Sequence, residues 1–109
     1  MPRTYSVHFK PAALDDIEEI AAYIEEQSGD PYIADLWEQS IYEDAVKLRS
    51  FPKSHSVYPS APAYRKSIFG RYHVIFRVDD VALKVVVCRV VSAERLPGNI
   101  GPIEWQSDE

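Results

Sequence analysis

The chain has one cysteine, Cys88, no apolar run long enough to span a membrane, and no excess of positive charge. Each shortage excludes something. One cysteine rules out an internal disulfide framework and any cysteine-based zinc cluster. The most apolar segment, VALKVVVCRVV, is broken by Lys84 and Arg89, and the opening MPRTYSVHFK lacks the apolar core of a secretion signal, so a cytoplasmic protein with no membrane role is expected. A net charge of −5 argues against general nucleic-acid binding, which draws its affinity from neutralising phosphates. Internal repeats, low-complexity tracts and linkers are also missing.

What is present is enough for one folded domain. At 109 residues and 46% hydrophobic content the chain can bury a single core of two layers. Its charge is unevenly placed. Residues 65–95 hold seven cations against Asp79, Asp80 and Glu94, a formal +4, which leaves −9 for the rest of a chain whose total is −5. The basic share is concentrated in AYRKSIFGRYHVIFRVDD, where Arg65, Lys66, Arg71, His73 and Arg77 fall close together.

Hydrophobic periodicity gives the elements. In TYSVHFK, Tyr5, Val7 and Phe9 alternate with polar residues, the two-residue period of a half-buried strand. Pro11 then occupies a first helical position, and Leu14, Ile17, Ile20, Ala21 and Ile24 recur at three- and four-residue steps. SGDP punctuates the helical region: Gly29 is suited to a left-handed cap, Asp30 to capping the next helix and Pro31 to opening it. A second apolar stripe follows through Ala34, Trp37, Ile41, Ala45 and Leu48, and the prolines of FPKSHSVYPSAP stop it. Two helices joined so tightly must run antiparallel.

Beyond that loop the period returns to two. In RYHVIFRV, Tyr72, Val74, Phe76 and Val78 point one way while Arg71, His73, Ile75 and Arg77 point the other. The valine-rich ALKVVVCRVV is suited to a central strand. The expected architecture is α+β: an N-terminal strand, an antiparallel two-helix hairpin and a three-stranded antiparallel meander, in the order β-α-α-β-β-β. Residues 1–96 make the domain and 97–109 an extended tail. The helices can cover only one face of such a sheet, which leaves Arg71, His73 and Arg77 on the other.

Four segments in this order, VHFKPAALDDIEEIAAYIEEQSGDPYIA, LRSFP, YRKSIFGRYHVIFRVDD and VVVCRVVSAER, resemble the RelE/ParE superfamily of type II toxins, and most nearly its ParE plasmid-stabilisation branch. The resemblance covers residues 5 to about 96. It implies a cognate antitoxin, of ParD-like ribbon-helix-helix type, whose flexible part wraps around the toxin. It also offers two activities. ParE-like toxins poison DNA gyrase through protein contact, whereas RelE-like toxins cut messenger RNA on the ribosome with basic residues and a tyrosine near the C-terminus. Cutting RNA needs a base, an acid and fixed positive charge; by the resemblance Arg65 or Lys66, His73 and Arg95 fall near those positions, but LPGNIGPIEWQSDE contains no tyrosine.

The SGDP turn and the RYHVIFRV strand are similar to the ParE pattern. SAER departs from it, with Ser92 where many ParE members carry a histidine. The reading is therefore a gyrase inhibitor that acts by binding, without a catalytic residue or cofactor. The alternatives are a ribosome-dependent endoribonuclease built on Arg65, His73 and Arg95, and an attenuated member that only binds antitoxin. The expected target or partner contacts are Arg65, Lys66, Arg71, His73, Arg77, Arg89 and Arg95; Tyr23, Trp37 and Tyr42 are assigned to an antitoxin groove between the hairpin and the sheet edge. No metal site is expected, and direct nucleic-acid binding is not. The plainer readings are that the sheet arginines are solvated positions on an exposed face, that Tyr23, Trp37 and Tyr42 pack the hairpin, and that the acidic run from Asp15 to Glu26 is a solvated helix face.

Overall fold

A computed structural model describes residues 4–58 and 61–93. Strand β1 (Ser6–Phe9) leads through Lys10 into helix α1 (Pro11–Ser28), with Pro11 at the helix start, where its missing N–H goes unneeded. Gly29 closes α1 at φ 72 and ψ 13 and donates its N–H to the Glu25 carbonyl. Asp30 then caps helix α2 (Pro31–Val46) by accepting the Tyr32 N–H at 2.9 Å. The SGDP punctuation therefore works as its chemistry dictates. Two short 3-10 turns follow, Lys47–Arg49 and Pro52–Ser54, and then strands β2 (Val57–Tyr58), β3 (Ala61–Phe69), β4 (Tyr72–Asp79) and β5 (Lys84–Ser92).

The strands form one sheet in the order β1-β5-β4-β3-β2. β3, β4 and β5 make the expected antiparallel meander. Two features go beyond the expectation. The sheet is mixed, because β1, whose partner the sequence left open, pairs parallel to β5, Val7 opposite Val85 and Phe9 opposite Val87. The proline-rich segment also yields the two-residue edge strand β2, antiparallel to β3. The parallel pairing has a physical basis: β1 reaches β5 only through a long crossover containing the hairpin, and valine-rich β5, flanked by two strands, is the central position its composition suits.

Helices cover one face. Ala13 and Ile17 of α1 and Ile41 of α2 pack with Val74, Phe76, Val85, Val87 and Val90 of the sheet and with Tyr5 just before β1, and Leu48 joins the same cluster. The other face also has a buried cluster, made by Ala61, Tyr64, Ile75, Val86, Cys88 and Val91 with Tyr58 packed against it. Ile75 is fully buried there, so this is not a simple solvated surface. Cys88 is a small core residue of that cluster.

The register of β4 on β5 steps between Ile75 and Phe76: Ile75 faces Arg89 while Phe76 faces Val87. Cys88 is the extra residue of this bulge. Bulges bend a strand and redirect the side chains beside them, and this one lies next to the candidate site.

Candidate functional site

β1 ends opposite Val87, so the last part of β5 has no strand beside it on that edge. Asp16 of α1 takes the place of a strand there. Its Oδ2 accepts the Val90 backbone N–H at 2.9 Å and the Arg89 Nε–H at 2.8 Å, and its Oδ1 accepts from Arg89 Nη2 at 3.0 Å. The side chains of Arg89 and Asp16 are 24% and 12% exposed. A two-pronged arginine–carboxylate pair of this kind is among the stronger polar contacts, and it fastens α1 to the sheet edge. The acidic run is not all solvated helix face.

Beside this fastening lies an open groove of about 410 Å³. Its walls are Asp16, Glu19, Ile20 and Tyr23 of α1, Arg71 and Tyr72 at the start of β4, and Arg89 to Ser92 of β5. Trp37 buttresses it from behind, its ring edge-on to Tyr72 with centroids 5.4 Å apart. The groove thus combines aromatic and aliphatic walls with both charge signs. Arg71 is exposed at its rim.

Of the three residues assigned to an antitoxin groove, Tyr23 lines this cleft and Trp37 stands behind it. Tyr42 packs on Phe9 at 5.3 Å as part of the core periphery. Its hydroxyl pKa is raised by burial first and by Glu38 and Glu18 next.

The basic residues do not form one cluster. Arg71 belongs to the groove rim, and Arg89 is bound to Asp16. Arg65 sits opposite Phe76 on the helix-covered face and donates Nη1 to the carbonyls of His55 at 2.8 Å and Lys53 at 3.2 Å, so its guanidinium holds the loop before β2. On the open face, Lys66 lies opposite Ile75, His73 opposite Ile68 and Val91, and Arg77 opposite Val86. Lys66 also places its ammonium 5.8 Å from the centre of the Tyr58 ring. Arg95 lies outside the described residues.

His73 is the unusual member of that face. Its Nδ1 is buried without a hydrogen-bond partner among the described residues. Burial, and secondarily the charge of Lys66, hold its pKa below the usual histidine value. At neutral pH it is an uncharged ring. Among the described residues there is no group of three or more His, Cys, Asp and Glu that could hold a metal, and no helix is long and apolar enough to cross a membrane.

The fold recurs in solved toxins. The ParDE toxin–antitoxin system of P. aeruginosa superposes with a TM-score of 0.71 at 21% identity, covering 82% of this chain and 96% of that one. A RelBE toxin–antitoxin complex of Mycobacterium tuberculosis gives 0.61 at 22% identity, over 83% of this chain and 92% of the other. A mutant of E. coli toxin RelE in the free state gives 0.58 at 17% identity, over 84% and 85%. Curated protein sequences gave no match. The family model for the ParE toxin of the type II toxin–antitoxin system parDE matches residues 7–97, and with that match the chain belongs to the ParE toxin family.

Proposed function

We propose that this chain inhibits DNA gyrase by protein contact in the cytoplasm and is held silent by a cognate antitoxin seated in the groove between α1 and the ends of β4 and β5. The observation that carries the choice of a binder over a nuclease is the separation of Arg65 from His73. The two occupy opposite faces of the sheet, and the Arg65 guanidinium is committed to two loop carbonyls. A phosphorane would need both groups within hydrogen-bond reach of one phosphate. Arg65 and His73 do not converge; Lys66 is the cation that shares the face of His73.

The antitoxin part of the reading rests on the groove. Its apolar walls with an exposed arginine at the rim fit an amphipathic segment that folds on binding and carries a carboxylate toward Arg71. The P. aeruginosa and M. tuberculosis relatives come from toxin–antitoxin systems, which supports the same assignment here. Lys66 and Arg77 on the open face remain the basic positions proposed for target contact.

One observation favours the nuclease alternative. His73 is an uncharged imidazole beside a lysine, which is the state a general base requires. A supercoiling assay separates the two readings. Purified chain added to gyrase and relaxed plasmid should block supercoiling, and cognate antitoxin should restore it. Normal supercoiling in the presence of folded, antitoxin-binding chain would rule out the gyrase reading.

A further inference from the structure

The corner after α2 is the least explained part of the surface. Phe51 adopts φ 55 and ψ 47, a left-handed conformation that residues with a bulky Cβ substituent avoid. The residue is nevertheless 64% exposed. The backbone conformation starts the 3-10 turn Pro52–Ser54, but the exposed ring adds little to the packing of the core. Glycine would take this backbone without strain, and a buried ring would contribute packing, yet the chain holds a strained residue and displays it.

The surroundings make the corner rigid. Pro52 is fully buried, and Ser54 donates both its hydroxyl, at 2.8 Å, and its N–H, at 3.1 Å, to the Phe51 carbonyl. The Arg49 carbonyl accepts the Tyr5 N–H at 2.9 Å. An open hollow of about 440 Å³ lies beside the ring, lined by Tyr5, Phe51, Pro52, Lys53 and Ser54.

Charge at the corner is mainly basic. No aspartate or glutamate occurs from Ala45 through Val78, in a chain that is acidic as a whole. Lys47 and Arg49 are exposed. Asp80 approaches from the β4–β5 turn, but its oxygens already accept Lys53 Nζ at 2.9 Å and the Tyr5 hydroxyl at 2.7 Å. The groove proposed for the antitoxin is at the other end of β5, since Tyr5 and Ser6 adjoin Leu83 and Lys84 while the groove adjoins Arg89 to Ser92.

We propose that this corner is a second protein-docking surface, which receives an acidic segment of another protein carrying an exposed aromatic or aliphatic side chain. The apolar side chain enters the hollow against Phe51, and the carboxylates meet Lys47 and Arg49. A strained, rigidly held and exposed aromatic beside a hollow is the form of an interface anchor. Nucleic acid is the weaker fit, because the chain's net charge is −5 and the hollow accepts one inserted side chain rather than a stack of bases.

Fluorescence anisotropy with a labelled random copolymer of glutamate and tyrosine tests this, with labelled polyglutamate and a DNA hairpin as comparisons. The wild type should bind the copolymer at least tenfold more tightly than either comparison. Phe51→Gly should reduce copolymer binding tenfold or more without lowering the thermal midpoint, because glycine relieves the backbone. A Lys47→Glu, Arg49→Glu double variant, changed only at exposed positions, should lose binding as well. Wild-type affinity in either variant, no copolymer binding by the wild type, or equal or tighter binding of polyglutamate or DNA would each overturn the proposal.

Discussion

Replacing Asp16 with alanine should destabilise the domain far more than its place in an acidic helix run implies. The substitution removes three hydrogen bonds: two from Arg89 and one from the Val90 backbone N–H. Loss of the two-pronged Arg89 contact, counted as one charge-assisted bond because it is partly exposed, is worth about 1.5–3 kcal/mol, and an N–H left without a partner costs about 1–3 kcal/mol. The groove admits water to the edge of β5, so the lower halves of these ranges apply and the total should be about 3 kcal/mol. For a domain of this size each kcal/mol moves the thermal midpoint by roughly 5 °C, which gives a fall of about 15 °C. Urea titration and calorimetry would measure it. Asp16→Asn, which keeps one acceptor oxygen but loses the charge, should fall between the wild type and alanine. A change of less than about 0.5 kcal/mol for Asp16→Ala, typical of surface positions, would refute the view that α1 is fastened to the sheet through this carboxylate.

Three further outcomes follow from particular residues. Ile75→Ala should cost about 2–5 kcal/mol in a denaturant melt, because Ile75 is fully buried in the cluster on the face away from the helices; a near-neutral result would mean that this face is not a core. Arg71→Glu should leave the melting curve unchanged and weaken antitoxin binding roughly tenfold by calorimetry, chiefly through slower association, whereas unchanged affinity would move the antitoxin site elsewhere. His73 has a folded-state pKa below that of the unfolded chain, so as pH falls through the window below the usual histidine value the unfolded state binds the extra proton. Its contribution to stability is complete above that window and declines on acidification. The stability gap between wild type and His73→Gln should therefore change across that window, the wild type losing more on acidification, and parallel pH profiles would contradict the burial argument.

The fold was largely legible in the chain because its signals are local. Pro11, the SGDP turn and the alternation in RYHVIFRV each set a backbone state within a few residues. The parallel pairing of β1 on β5 was not legible, since it joins segments about 80 residues apart and leaves no local mark. The same is true of β2, which forms in a proline-rich segment where breaker residues dominate the pattern.

The candidate site was only partly legible, for a related reason. Alternation placed Arg71, His73 and Arg77 together, but Arg71 lies in the turn just before β4 and rims the groove, while the other two face away from the helices. Arg65 read as part of one basic face, yet strand alternation puts it on the side opposite Lys66. Asp16 could not be singled out among Asp15, Glu18 and Glu19 by spacing, because what distinguishes it is where β1 ends. Phe51 belonged to the LRSFP segment of the family resemblance and preceded a proline, but neither marks its backbone state; its left-handed conformation appears only in three dimensions.

The measurement that tests the account most directly is a gyrase cleavage assay run beside ribosome-bound messenger cleavage, with wild type and His73→Gln in both. The account predicts that both proteins trap gyrase on linear DNA and that neither cuts messenger RNA. Messenger cleavage by the wild type that is lost in His73→Gln, with gyrase unaffected, would contradict it.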